Sequence, residues 1–197
     1  MKKIALSVCA GALLLPAVSM AAAPAGSVAV YLSNSSVDFG GGADDSGTGF
    51  GVSGWGMVNP NFFLHGEYQQ ASLDDFGIDV DQLRVGGGYV SEMSPGTMWL
   101  VKGEYVSFGF DDAVPDQSGF GVHGGIILMA DQPFSVMGTV GYLTTDDTDG
   151  LELNISARYA FTKEWGGILG YRTYMGSVDP SGDVDISDMR IGVTYSF

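Results

Sequence analysis

From residue 27 onward, hydrophobic and polar positions alternate along most of the chain. Leu151, Leu153, Ile155, Ala157 and Tyr159 occupy every second position of one stretch, with Glu152, Asn154, Ser156 and Arg158 between them. A period of two places successive side chains on opposite faces of a β-strand, whereas a helix needs a period of 3.6. Ten stretches follow the strand pattern, at 27–38, 47–58, 62–71, 80–90, 97–108, 119–129, 134–143, 150–160, 165–175 and 185–197. Short turns follow the even-numbered stretches, for example Asn59-Pro60-Asn61, and longer connections rich in Asp, Gly and Ser follow the odd ones. The order predicts an all-β meander of hairpins, with ten strands or, if the first hairpin is lost, eight. The glycine-rich second stretch has no clear parity, which suggests a bulge there.

Two architectures give this alternation. A soluble sandwich or lipocalin-like barrel buries its apolar face, while a transmembrane barrel turns that face to lipid and keeps polar groups inside. The distribution of charge separates them. Lys2 and Lys3, the apolar run Ile4 to Val18 and the small residues Ser19 to Ala23 form the pattern of a secretory signal peptide, expected over 1–22, with a barrel domain over 23–197. Cys9 lies within that run, so the mature chain is expected to have no thiol or disulfide chemistry. Six basic residues then stand against 23 acidic ones, a net charge of −17 that excludes nucleic-acid binding. Five of the six, Arg84, Lys102, Arg158, Arg172 and Arg190, fall mid-strand on the polar face; only Lys163 is in a turn. Soluble strand proteins place lysines on loops and edges, where they block aggregation. Here sixteen of the eighteen aspartates lie in or beside the long connections, with no Lys or Arg among them. Basic residues kept mid-strand fit a lumen, paired with Glu67, Glu104, Glu152 and Asp188 on the same face.

Aromatic residues point the same way. Phe62, Trp99, Phe134 and Trp165 open odd strands on the apolar face beside the short turns, and Tyr89, Tyr159 and Tyr195 close even strands at that end. This is the arrangement of an interfacial aromatic girdle. A second set, Tyr68, Tyr105, Tyr142 and Tyr171, lies nearer the long connections. Six residues separate several of the pairs, about 20 Å along the strand and roughly 15 Å after tilt, against an apolar band about 25 Å tall. The second set is therefore expected inside the band.

With the signal peptide, the meander, the turn asymmetry and the closing Val193-Thr194-Tyr195-Ser196-Phe197, the sequence resembles the small outer-membrane β-barrels of Gram-negative bacteria, of the OmpA, OmpX and opacity-protein type. The resemblance implies a location in the outer membrane, contact with its lipid and lipopolysaccharide, and a monomer. It also implies that Tyr195 and Phe197 match the aromatic-x-Phe end read by the barrel-assembly machinery. Those barrels mostly have eight strands, and the count here is ten.

No catalytic constellation emerges. The two histidines, His65 and His123, fall on the lumen face without a serine and orienting carboxylate beside them, so no enzyme activity and no cofactor are expected. The near-balance of lumen charge suggests ion pairs filling the interior, since unpaired buried charge is costly. That reading gives a largely plugged barrel displaying acidic extracellular loops for envelope integrity or surface contact. Lumen glycines such as Gly86, Gly88, Gly119, Gly121, Gly166 and Gly170 leave open a narrow cation-favouring channel, and a soluble secreted β-protein is the further alternative. Asp146, Asp147 and Asp149 are weak Ca²⁺ candidates, lacking the first Asp and final Glu of an EF-hand loop.

Overall fold

The computed structural model describes residues 25–38, 44–74, 77–110, 116–178 and 182–197. The expected signal peptide lies outside them, as do Asp75, Asp111, Asp112 and Asp179 of the long connections. The ten strands are β1 (Gly26–Asp38), β2 (Asp44–Met57), β3 (Phe62–Leu73), β4 (Ile78–Ser94), β5 (Thr97–Phe110), β6 (Gln117–Leu128), β7 (Phe134–Thr145), β8 (Thr148–Ala160), β9 (Trp165–Val178) and β10 (Gly182–Ser196). Each pairs antiparallel with its neighbours in sequence, and β1 pairs with β10 to close the barrel. The first hairpin is thus part of the wall, which removes the eight-strand alternative. Closure leaves no edge strand with unpaired backbone groups.

Two details differ from the sequence expectation. β2 has no bulge: it pairs in unbroken register with β1 and β3. Its parity is hidden because Gly47, Gly49 and Gly51 take inward positions. A Cβ at Gly51 would lie 2.3 Å from Tyr31 Cζ, so glycine there makes room for an inward tyrosine on neighbouring β1. The one register shift among the described pairings falls between Glu92 and Ser94, beside the turn where Gly96 has φ +74. The strands also run further toward the long-connection end than the alternation suggested. Asp44, Asp45, Asp79, Asp149 and Asp183 stand on strands, and β7 joins β8 through Asp146 and Asp147 alone.

At the short-turn end, side chains cap the turns that set the girdle. Asn59 Oδ1 accepts hydrogen bonds from the Asn61 and Phe62 amides (both 3.0 Å), and Thr162 Oγ1 accepts from Glu164 (3.2 Å) and Trp165 (2.9 Å). Phe62 then meets Tyr89 edge-on (centroids 5.2 Å apart), Tyr89 meets Trp99 (5.4 Å), and Trp165 meets Tyr195 (5.0 Å). Phe134 stands opposite Tyr159 in register. The last residue closes the ring: the amides of Gly26 and Phe197 each donate to the other's carbonyl at 3.1 Å.

The polarity of the two faces exchanges partway up the wall. From the short-turn end, β10 turns Phe197, Tyr195, Val193, Ile191 and Met189 outward, then Ser187 and Asp185; inward it turns Ser196, Thr194, Arg190 and Asp188, then Ile186 and Val184. β1 goes from outward Val28, Val30 and Leu32 to Asn34 and Ser36 while its inward row ends on Val37. On β3 outward Tyr68 gives way to Gln70, on β5 Tyr105 to Ser107, and on β7 Tyr142 to Thr144. The second tyrosine set therefore marks the edge of the apolar band rather than its interior. Beyond that edge the wall is polar outside and apolar inside, the sense of a water-soluble barrel.

Candidate functional site: the barrel interior

The band-level interior holds a network of charges that crosses the lumen. Glu104 on β5 is one hub. Arg84 Nη1 donates to its Oε1 (2.7 Å), Lys102 Nζ to its Oε2 (2.6 Å), and His123 Nε2 and His65 Nε2 stand 3.0 and 3.4 Å from its oxygens. Arg84 also reaches Glu152, from Nη1 at 2.9 Å and Nη2 at 2.5 Å. Since β4 and β8 are four strands apart, this guanidinium spans the lumen instead of lying along the wall.

Glu67 and Asp188 form the second hub. Arg172 Nη1 donates to Glu67 Oε1 (2.8 Å), its Nη2 donates to Asp188 Oδ2 (2.8 Å), and it also bonds the Gln82 side-chain oxygen. Arg190 bridges the same pair at 3.0 and 3.2 Å and lies 5.2 Å from the centre of the Tyr31 ring. The other Asp188 oxygen accepts from Ser35 Oγ (2.6 Å) and Gln69 Nε2 (2.9 Å). Four carboxylates thus face four cations. Arg84, Glu104, Glu152, Arg172 and Asp188 are each at most 4% exposed. Charges buried this far from water persist only when paired and hydrogen-bonded.

Packing against glycine positions the hub. A Cβ at Gly141 would overlap the His123 ring, and one at Gly121 would lie 2.7 Å from its Nε2. The imidazole therefore lies flat over two bare backbones and reaches Glu104. The glycines on this face admit longer neighbours.

Arg158, grouped by its parity with the network, stands apart from it. Its Nη2 donates to Ser196 Oγ (2.6 Å) and its Nε to Thr194 Oγ1 (3.4 Å), at the short-turn mouth. The nearest acid on its own strand, Glu152, is six residues away, about 20 Å at strand spacing. Parity identified the face, but height along the strand decided the partner.

Above the network, toward the long connections, the interior turns apolar. Val106, Phe108, Leu143 and Tyr174 form one buried cluster and Val37, Leu73 and Val184 another, with Ile186 packed against both. This layer was not anticipated. Its signal was present in the sequence: Val37, Leu73, Val80, Val106, Phe108, Val184 and Ile186 all occupy lumen parity where the outward positions have become polar.

Glu104, His123 and Glu152 are the one group of possible metal ligands among the described residues, with ligand atoms within 4.8 Å of one another. The Arg84 guanidinium already occupies the same carboxylate oxygens, so a cation there would have to displace it. The Ca²⁺ candidates do not converge. Asp146 Oδ2 accepts from the Ser118 amide (2.9 Å), Asp147 Oδ2 accepts from Gln117 Nε2 (2.8 Å), and Asp149 is exposed on β8.

A closed ten-strand meander with an apolar exterior, an aromatic girdle and charges inside defines a bacterial transmembrane β-barrel. Residues 8–197 match the family described as the outer membrane protein beta-barrel domain, and the chain belongs to that family. Its location is accordingly the Gram-negative outer membrane. Among solved structures it is similar to Neisserial surface protein A (13% identity, TM-score 0.51, 89% of this chain and 99% of that one). It is also similar to an outer membrane channel from Pseudomonas putida F1 (8% identity, TM-score 0.57, 90% and 97% of the two chains). At these identities the likeness is one of fold. No curated protein matches the chain by sequence.

Proposed function

We propose that the protein is a non-conducting, non-enzymatic barrel whose rigid wall presents an acidic rim outside the cell, serving envelope integrity or contact with other surfaces. In this reading both termini and the short turns face the periplasm, and the barrel stands as a monomer among outer-membrane lipid and lipopolysaccharide. The observation that carries it is the stacking of two filled layers in the lumen. Val106 and Leu143 in the apolar layer are 0% exposed, and the ion pairs beneath them bridge opposite walls. An ion crossing this interior would have to shed water among apolar side chains. Both histidines stand beside a carboxylate already held by Arg84 and Lys102, an arrangement without an activated nucleophile. In planar bilayers the refolded protein is expected to stay silent under applied voltage. Stable cation-selective steps would overturn the reading and make the protein a narrow channel with an acidic outer mouth.

Assembly supplies a second test. The Phe197 ring faces outward beside the girdle, and its backbone completes the β1–β10 closure. Deleting Phe197 removes two backbone hydrogen bonds and one apolar ring, about 1–3 kcal/mol of stability for the barrel refolded in detergent. If the assembly machinery grips Tyr195 and Phe197, the amount inserted in cells falls far more than this loss accounts for. Proportionate losses in both measurements would reduce Phe197 to a packing residue.

A further inference from the structure

We infer that Arg158 and the hydroxyls around it form a binding site for a small oxyanion group, phosphate or carboxylate, at the short-turn mouth of the lumen. Charge balance is the first reason. The other four lumen cations are matched by four carboxylates, and none of the ion pairs among the described residues includes Arg158. It is the one inward cation left over, half-buried at a mouth that water reaches.

The second reason is the lining. The guanidinium is held by Ser196 and Thr194 and stands opposite Ser135 in register, while Ser156 precedes it on the same inward row and Ser27 pairs with Ser196. A guanidinium is a planar fork of five donors that matches two oxygens of one anion. Hydroxyls rotate to donate or accept, so the wall can turn from holding Arg158 to sharing an anion with it.

Third, there is space. That space lies above the guanidinium: a Cβ built at inward Gly170, beside Ser156, would find no atom closer than 3.8 Å, whereas at Gly166, nearer the mouth, it would lie 2.9 Å from Thr194 Oγ1. Finally, approach from the other end is opposed, because most of the aspartates crowd that rim, whereas the Arg158 mouth carries Glu92, Asp131 and Glu164 around Lys163. In the orientation proposed above, the anion arrives from the periplasm, but the site stands whether or not the barrel conducts.

The test follows the Arg158 Nε–H resonance of the refolded barrel in maltoside micelles, which contribute no phosphate. Sodium phosphate and sodium acetate are titrated separately against chloride at matched ionic strength. A saturating shift at Arg158 and at the Thr194 and Ser196 amides is expected, half-complete at about 1–10 mM, the weak affinity of one half-exposed ion pair. Arg158→Gln abolishes it while leaving the heat-modified gel shift of the folded barrel unchanged. Saturation by phosphate alone or by acetate alone supports the site and identifies the group. Non-saturating shifts, or equal shifts in Arg158→Gln, overturn it. Should Arg158→Gln fail to refold, Arg158→Lys keeps the charge but loses the fork. Half-saturation then rises several-fold, and an unchanged value overturns the assignment.

Discussion

Replacing Arg84 with methionine is expected to destabilise the refolded barrel by about 3–5 kcal/mol, the usual cost of removing one partner from a buried charge cluster. The size of the loss comes from the two carboxylates left behind rather than from the bonds removed. Glu104 would keep Lys102, but Glu152, 2% exposed, would lose both of its short ion-pair contacts. Lys102→Met gives a smaller loss, because Lys102 serves one carboxylate that Arg84 also holds, and its side chain is 16% exposed. Converting Arg84, Lys102, Glu104 and Glu152 together to Met, Met, Gln and Gln restores much of the stability, since two cations and two carboxylates leave together and no unpaired charge remains. Urea midpoints at constant slope read all three. A loss below about 1 kcal/mol for Arg84→Met would mean that water screens the carboxylates. The same result would undercut the filled lumen, so this measurement and bilayer conductance examine one property by independent routes.

How much of this interior could be read from the sequence depends on which spacing carried the information. Parity did well: Glu67, Arg84, Lys102, Glu104, Glu152, Arg172, Asp188 and Arg190 all face inward, because a period of two admits no drift over a strand of regular pairing. Partners across the lumen were not legible. Arg84 meets Glu152 and Arg172 meets Glu67 across a separation of four strands. Those contacts depend on closure, tilt and stagger, which no local pattern encodes. Arg158 shows the same limit from another side, since its residue type and face suit the network and its height does not. The strand ends were underestimated for a specific reason. Past Tyr68, Tyr105 and Met189 the alternation continues with its polarity exchanged, so a search for apolar-outward strands stops within a few residues. Val184 then reads as a loop flank, although it belongs to the same inward row as Ile186.

That exchange of polarity carries the other large expected effect. Leu143→Asn is expected to cost about 3 kcal/mol or more, combining the cavity left by a lost leucine with burial of an amide that finds no ready partner. Leu143 packs with Val106, Phe108 and Tyr174, and its strand neighbour Thr144 points outward above the apolar band. Thr144→Leu at the same height should therefore gain little in lipid vesicles, because its side chain meets water and headgroups rather than acyl chains. Within the band the preference reverses: Leu153→Asn, outward on β8 and 42% exposed to the surroundings, loses stability in vesicles because its amide is placed against lipid. Two strand positions of opposite parity thus prefer opposite chemistries at different heights on one wall. If Leu143→Asn were tolerated as well as Thr144→Leu, the upper interior would be wet and the inward apolar row would not seal the lumen. If it is as costly as expected, the barrel consists of a membrane-spanning segment with a polar core and, continuous with it, a short segment with an apolar core. The second segment then closes the first with the inward residues of strands that extend past the membrane.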